Sequence, residues 1–495
     1  MSLDPTTLAT LPLDAKREVL GGLLREVVER ARTAPLSISQ ERLWLTEQLD
    51  QGTALYNIPV FVHAPPALDI ERLRAALVEL SRRHEILRTT FAVRDGAPVQ
   101  VVGPAHDFDL QVIDLGGDDE PARQRELTRA LEREAQTGFD LGAGPLMRAR
   151  LLRLPAGAAV LSLVMHHIVS DGWSLGILLR ELWLLYQQLA AGGRPALPPL
   201  PLQYADFARW QRGHLAGGTL EALRGWWRRR LEGAPLVLDL PTDHPRPPRE
   251  SFAGAVQAFE LDPARTRALR ALARQAHATL FMVLLAAWKA LLFRYTGQGD
   301  LIVGTPLAGR SHTRLEGLIG FFVNNVALRT PLADDPSFRA LVARVRDTVL
   351  QAFEHQELPF DRLIEELADQ RDPSRPPICQ VVFNLQNAPT WDRRTVHAAD
   401  ASPWSLEAHS GTSKFELNLT IMEVGDRMVG AIEYKRLLFE PATIRRLIDL
   451  YLMLLDAVTR DPDRSLLAID LGAPPRSAAD DELEDEFDFE PREPR

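Results

Sequence analysis

Cysteine is almost absent. Cys379 stands alone in 495 residues, so no intrachain disulfide can form, and the chain suits a reducing, cytoplasmic compartment. Lysine is scarce too: Lys16, Lys289, Lys414 and Lys435 are the four lysines among 57 basic residues. That bias, with abundant Ala, Arg, Leu and Pro, points to a GC-rich bacterial genome and says nothing about activity. Positive charge is not in excess. The 67 acidic residues give a formal net charge of −10, which argues against nucleic acid as a partner. No run reaches the ~18 uninterrupted apolar residues of a membrane span. The most apolar stretch, residues 279–295, is broken by Lys289 and Arg294. The N-terminus lacks the basic start and apolar run of a signal peptide.

What is present is ordinary globular composition, 45 % hydrophobic and 25 % charged. The length allows two or more domains of ~100–200 residues. Charge is unevenly spread. Residues 480–495 hold nine acids and two arginines, which leaves the rest of the chain near −3. This tail interleaves Leu483, Phe487 and Phe489 with its acids. It reads either as a solvating disordered segment or as a docking element for a basic partner surface.

Periodicity places an N-terminal helix over residues 12–33, with Leu20, Leu23, Leu24, Val27 and Val28 on one stripe. It is either a brace or a docking element. Further helices are expected over 69–83, 123–135, 174–189, 263–276, 279–295, 338–353 and 442–458. Strands are expected over 158–165, 300–304 and 378–385. A hairpin is expected about Gly425-Asp426. Strands and helices mix in both halves without regular βαβ alternation, which predicts an α+β fold of two lobes. The expected division is an N-terminal segment 1–35, a first lobe 36–215, a second lobe 216–472 and a tail 473–495.

The chemistry concentrates in Met165-His166-His167-Ile168-Val169-Ser170-Asp171-Gly172-Trp173-Ser174, between an expected strand and an expected helix. Each residue has a plain structural reading. His167 could be a core histidine, Asp171 a helix cap and Gly172 a turn residue with positive φ. Adjacent histidines on a strand point to opposite faces, so they would rarely ligate one metal ion. One of them would face reacting groups and the other would support the loop. A histidine near its free pKa can accept a proton from an attacking amine or alcohol. Asp171 could fix the loop by pairing with a distant arginine, and Gly172 could bring a backbone N–H to an oxyanion. The one cysteine, Cys379, sits in an apolar run. The implied reaction is therefore direct acyl transfer without an acyl-enzyme.

The string from His166 to Gly172 resembles the HHxxxDG motif of nonribosomal peptide synthetase condensation domains, relatives of chloramphenicol acetyltransferase. Other stretches characteristic of that family follow in order. They are Leu36-Ser-Ile-Ser-Gln-Glu-Arg-Leu-Trp-Leu45, Arg83-His-Glu-Ile-Leu-Arg-Thr-Thr-Phe91, Tyr204-Ala-Asp-Phe-Ala-Arg-Trp-Gln211, Ile319-Gly-Phe-Phe-Val-Asn-Asn-Val-Ala-Leu-Arg329, His355-Gln-Glu-Leu-Pro-Phe-Asp361 and Arg371-Asp-Pro-Ser-Arg-Pro-Pro377. The variants look most like the subtype joining an L-configured donor to an L-configured acceptor.

The resemblance implies two acetyltransferase-like lobes forming a V-shaped pseudo-dimer around a central tunnel. Phosphopantetheine arms of a donor carrier protein and an acceptor carrier protein would enter from opposite faces; the acceptor could instead be a free amine or alcohol. No cofactor would be bound by the chain itself. His167 would be the catalytic or positioning histidine, and Asp171 would pair with Arg310 of Thr305-Pro-Leu-Ala-Gly-Arg310. Trp173, Ser174, Asn384, Gln386 and Ser413 would line the tunnel, with Ser413-Lys414 near the acceptor side. Cys379 would be a small core residue. The expected activity is that of a freestanding condensation enzyme forming an amide. The alternatives are an ester-forming enzyme and a catalytically idle recruiting module.

Overall fold

The computed structural model describes residues 32–471 except 50–51, 65–67, 105–107, 118, 156–157, 368–371 and 387–409. The expected N-terminal helix lies outside the described residues except for its last two, and the acidic tail lies wholly outside them. The first half runs β1 (Thr33–Pro35), α1 (Ile38–Leu49), β2 (Asn57–Ala64), α2 (Ile70–Arg83), β3 (Thr89–Arg94), β4 (Ala97–Val102), β5 (Leu110–Asp114), α3 (Glu120–Gln136), β6 (Met147–Arg153), β7 (Ala159–His166) and α4 (Gly172–Ala190). Two helices, α5 (Tyr204–His214) and α6 (Gly218–Leu231), then lead into the second half. That half runs β8 (Gly254–Leu261), α7 (Pro263–Gln275), α8 (Leu280–Thr296), β9 (Asp300–Leu307), β10 (Asn324–Pro331), α9 (Phe338–Glu354), α10 (Phe360–Glu366), β11 (Val381–Gln386), β12 (Leu417–Val424), β13 (Arg427–Lys435) and α11 (Pro441–Arg460).

Among the described residues three sheets form, ordered β2-β7-β6-β5, β1-β4-β3 and β10-β9-β11-β12-β13-β8. Strand β7 is buried from Val160 to His166, which is why its sequence is apolar on both faces, with Ser162 and the terminal His166 its two polar residues. Strand β2 carries Pro59, a residue tolerated because β2 lies at the edge of its sheet. Helix α2 buries Leu73, Ala76, Leu77 and Leu80 on one face, and Asp69 caps it by accepting from the Arg72 amide at 3.1 Å. Helix α8 ends at Gly297, whose φ of 71° closes the C-terminus in the left-handed region. The hairpin β12–β13 turns at Gly425, φ 67°. The strand expected from Ile378 begins only at Val381: Ile378 has a φ of 64° after two prolines, and the ladder starts once that bend is past. Cys379 therefore lies before the strand, fully enclosed against Gly304.

Two large apolar cores are distinct, and a third, small cluster about Leu127, Leu131 and Leu152 lies apart from both. The first is built mainly from residues between Leu36 and Phe207, and the second from residues between Trp227 and Leu471. They are not separable at one point in the chain. Leu315, Leu318, Ile319, Phe321 and Phe322, which follow β9 of the second half, are buried in the first core. The second half thus contributes a crossover, residues 308–323, that completes its neighbour. Among the described residues no single helix is long and apolar enough to cross a membrane. The bent pair α7–α8 passes such a test only jointly, with its two helices at 102°, and α8 is the most deeply buried helix of the second core.

Lys289 sits inside that core with no exposure, its ammonium donating to the Leu328 carbonyl at 2.5 Å. Burial pushes its pKa down to about 7. The unfolded chain, with an ordinary lysine near ~10.4, binds the extra proton between those values. Stability should therefore rise with pH from about 7 toward ~10, and the destabilising effect is complete below 7. Lys289→Met should flatten that rise and stabilise the protein at pH 7 by about 1–3 kcal/mol. Urea unfolding at pH 7, 8 and 9 checks both; an equal slope in the two proteins contradicts the prediction.

Candidate active site

Strand β7 delivers His166 as its last residue, and the chain then makes a single 3₁₀ turn over His167–Val169 before α4. That change of conformation separates the two rings. His166 is completely buried, flanked by Tyr56 and Phe139 at ring distances of 6.0 and 6.1 Å. Its Nδ1 accepts the Ile168 amide at 3.1 Å. The proton must then reside on Nε2, which points toward Glu47 Oε2 at 3.8 Å. Burial lowers the pKa of His166 and Glu47 opposes that shift. This ring supports the turn.

His167 turns the other way. Its amide donates to the Tyr56 carbonyl at 2.7 Å, and the edge of Phe321, from the crossover, meets its ring at 4.9 Å. Nδ1 lies 2.9 Å from the Ser170 carbonyl. A carbonyl only accepts, so Nδ1 carries the proton and the Nε2 lone pair is left available. Nε2 makes no hydrogen bond among the described residues. Burial, and then the charge of Lys414, hold the ring well below the usual imidazole range. His167 is thus a neutral base in a fixed tautomer.

Asp171 has a different task. Oδ1 accepts from the Ser174 amide at 2.8 Å and from Arg310 Nη2 at 3.2 Å. Oδ2 accepts from Arg310 Nη1 and the Phe322 amide, both at 3.0 Å. The carboxylate is both the cap of α4 and one half of an ion pair whose side chains are 3 % and 2 % exposed. With four donors on two oxygens it has no capacity left for proton transfer. Arg310 also donates to Ser174 Oγ at 2.9 Å and to the Leu318 carbonyl at 3.2 Å, and its guanidinium lies 4.3 Å over the Phe322 ring. Arg310 is therefore not a solvated surface arginine.

The other expected site residues divide. Gly172 is exposed and opens α4, and it is not among the positive-φ residues. The turn reading of that glycine is thus corrected. A Cβ there would lie 3.9 Å from Gln386 Nε2, so Gln386 of β11 reaches the start of α4 across the seam. Asn384 shares that strand face by alternation and is half-buried. Trp173 and Ser174 belong to the interlobe contact: Trp173 Nε1 donates to the Glu316 carbonyl at 3.0 Å, and Ser174 Oγ donates to the Gly320 carbonyl at 2.9 Å. Ser413 does not line a passage. It is fully buried, and its hydroxyl donates to the Phe415 carbonyl at 2.8 Å. Its neighbour Lys414 instead reaches across the seam, with Nζ 4.8 Å from the Tyr56 ring centroid. No group of three or more His, Cys, Asp or Glu that could hold a metal occurs among the described residues.

Several supporting residues escaped the sequence reading. Gln40 is buried and donates to the Ile168 carbonyl at 2.9 Å, holding the histidine turn. Tyr204 OH donates to the Phe321 carbonyl at 2.6 Å and meets Ser37 Oγ at 2.9 Å. Gly320 is required where it stands, since a Cβ would come 2.0 Å from the Tyr204 ring. All lie in the quoted motifs, so the signal was present, but their partners are more than a hundred residues away.

This fold and site coincide with known proteins. A family model for the condensation domain matches residues 30–477, and the chain belongs to that family. The chondramide synthase of Chondromyces crocatus is 43 % identical over 432 residues, which are 87 % of this chain and 11 % of that protein. Phosphinothricin tripeptide synthetase PhsC of Streptomyces viridochromogenes is 40 % identical over 88 % of this chain and 40 % of its own length. The chain thus spans less than half of either relative. Among solved structures, the X-domain from teicoplanin biosynthesis superposes with a TM-score of 0.78 at 29 % identity, covering 88 % of this chain and 97 % of that one. SgcC5 from Streptomyces globisporus superposes with a TM-score of 0.72 at 32 % identity, covering 87 % and 100 %. The fold is the α+β, chloramphenicol acetyltransferase-like fold of the condensation domains.

Removing one partner of a buried pair leaves the other charge unmatched. Asp171→Ala and Arg310→Ala should each lose about 3–5 kcal/mol, and the double variant less than the sum by about 1–3 kcal/mol. Urea midpoints of the four proteins measure this cycle. Strict additivity would show that the pair does not act as a unit.

Proposed function

We propose that this chain catalyses amide-forming condensation of the nonribosomal peptide type. The donor is an acyl or peptidyl group held as a phosphopantetheine thioester on one carrier protein. The acceptor is an amine, on a second carrier or free. The observation that carries the reading is the neutral His167, with Nδ1 held by the Ser170 carbonyl and Nε2 available. In the reaction the amine nitrogen attacks the thioester carbonyl carbon while Nε2 accepts the amine proton. The tetrahedral oxyanion collapses, the C–S bond breaks, and the proton passes from the imidazolium to the departing thiolate. Exposed Gly172, at the N-terminus of α4, offers a backbone N–H toward the oxyanion.

Both substrates bind together, so proximity supplies much of the rate. An acyl-enzyme on Cys379 is disfavoured by its enclosure, which pushes the thiol up to about 12. The relatives' names support peptide assembly as the setting. The X-domain has also been seen in complex with OxyB, so recruitment without catalysis is the competing outcome.

His167→Ala, read by intact-mass analysis of a loaded donor carrier with candidate acceptors, separates the two. Product formation should fall by about 10²–10⁴-fold, with carrier binding and thermal midpoint retained. Undiminished product would overturn His167 as the base, and no product from the unsubstituted protein, with carrier binding intact, would leave recruitment as the function.

A further inference from the structure

Helix α1 turns one buried face toward the histidine turn. Gln40, Leu43 and Glu47 lie on it, at helical spacing. Gln40 has a fixed amide orientation: Oε1 accepts from the Ser37 amide at 3.0 Å, and Nε2 donates to the Ile168 carbonyl at 2.9 Å. Glu47 stands two turns further on and is 3 % exposed. Its Oε1 accepts from the Gly52 amide at 2.7 Å. Gly52 is pressed against Gly138, where a Cβ would come 1.9 Å from the Gly52 carbonyl oxygen. Glu47 Oε2 is buried without a hydrogen-bond partner among the described residues, and so is His166 Nε2. These two atoms are 3.8 Å apart, and each is what the other lacks, an acceptor facing an N–H. The rings of Tyr56 and Phe139 flank the imidazole. A movement of about 1 Å brings the pair into hydrogen-bonding range.

We propose that Glu47 is a positioning residue acting through His166: its second oxygen holds the Nε2 proton and so keeps Nδ1 an acceptor for the Ile168 amide. Ile168 is then held from α1 on both backbone groups. Its N–H is held through His166 and Glu47, and its carbonyl by Gln40. His167 immediately precedes it and takes its orientation from that turn. The inference rests on the condensation reading for its effect on rate, but not for the contact itself. The demand on Glu47 is chemical as well as spatial. Two N–H groups, of Gly52 and His166, point at one side chain, which must offer two acceptor oxygens. Glutamine offers one, and its NH₂ would face the other N–H, donor to donor. An apolar residue offers none and leaves both N–H groups buried and unpaired. His166 has no second way to serve the turn. With the proton on Nδ1, the Ile168 amide would meet a donor.

Nitrogen NMR of the histidine rings in the substrate-free protein tests the contact, with His166→Phe assigning the signal. In the unsubstituted protein His166 should carry its proton on Nε2, with Nδ1 free. In Glu47→Gln the Ile168 amide should exchange with solvent faster by about 3–10-fold. A proton found on Nδ1, or an Ile168 amide equally protected in the variant, overturns the proposal. Rates test the route of the effect. Glu47→Gln should lower kcat by about 10–100-fold with KM retained, and His166→Phe should do the same. The double variant should be no slower than His166→Phe, because Glu47 then has no ring proton to hold. A merely structural Glu47 would add its loss to that of His166→Phe, so additive losses overturn the proposal. If the unsubstituted protein forms no amide, the reaction reading fails, and the ring tautomer and Ile168 exchange still decide the role of Glu47.

Discussion

The Asp171–Arg310 pair is the constraint on which the rest of the site depends. Its two residues are 139 positions apart, yet four donors meet on one carboxylate. Two of those contacts, with Ser174 and Phe322, are to backbone amides of different lobes. The pair therefore fixes the start of α4 and the path of the crossover in one step. Phe321, next to Phe322, is the residue whose edge meets the His167 ring. A small displacement of the crossover would be transmitted directly to the base. Charged groups this deeply enclosed give little net stability against an apolar replacement. What they give here is a single register between two halves that share a core.

The quoted motifs are pieces of this seam. Ser37 and Gln40 from the first, Ser170 to Ser174 from the third, Tyr204 from the fourth and Gly320 to Phe322 from the fifth converge within hydrogen-bonding distance. The second motif acts one layer out. Arg83 and His84 both hold Glu181 of α4, at 2.9 and 2.7 Å, so the catalytic helix is tied to α2 as well. The sixth places Asp361 against Arg42. The separation of roles between the two histidines follows from the local chain. His166 ends a strand and His167 begins a 3₁₀ turn, so one ring faces the core and the other faces the seam.

How much of this was legible depends on range. Helices α2, α8, α9 and α11 were readable because each combines an apolar stripe with an end signal such as Asp69 or Gly297. The buried strand β7 was readable from its apolar run, interrupted only by Ser162. Strand β2 was not, because Pro59 argues against a strand until the sheet edge is known. Strand β6 was not, because Arg148 and Arg150 alternate with apolar residues in a stretch that looks merely charged. In the structure Arg148 lies over Phe139, and Arg150 pairs with Glu134. The site string was legible as chemistry, with a choice left open between cap and ion pair for Asp171. The structure shows that the alternatives were not exclusive, since one carboxylate does both. Arg310 came only through family resemblance, because nothing local distinguishes it from the other arginines. Ser413 and Lys414 show the limit of that route: the segment was identified, but the side chain that crosses the seam is Lys414 and not Ser413.

The scarcity of lysine acquires a physical sense from these positions. At the surface, arginine's planar fork makes bidentate pairs such as Arg153–Asp114 and Arg339–Asp463. Three of the four lysines lie within the described residues, and none of the three is a surface lysine. Lys289 is sealed in the second core, Lys435 is buried against Glu250, and Lys414 crosses the seam. All three have their pKa lowered, with burial the largest cause. A guanidinium is too basic to lose its proton at such a place, and its fork would need several acceptors. An ammonium on a slender stem needs fewer, and it can discharge. The three described lysines therefore stand where an enclosed ammonium can give up its charge more readily than a guanidinium would.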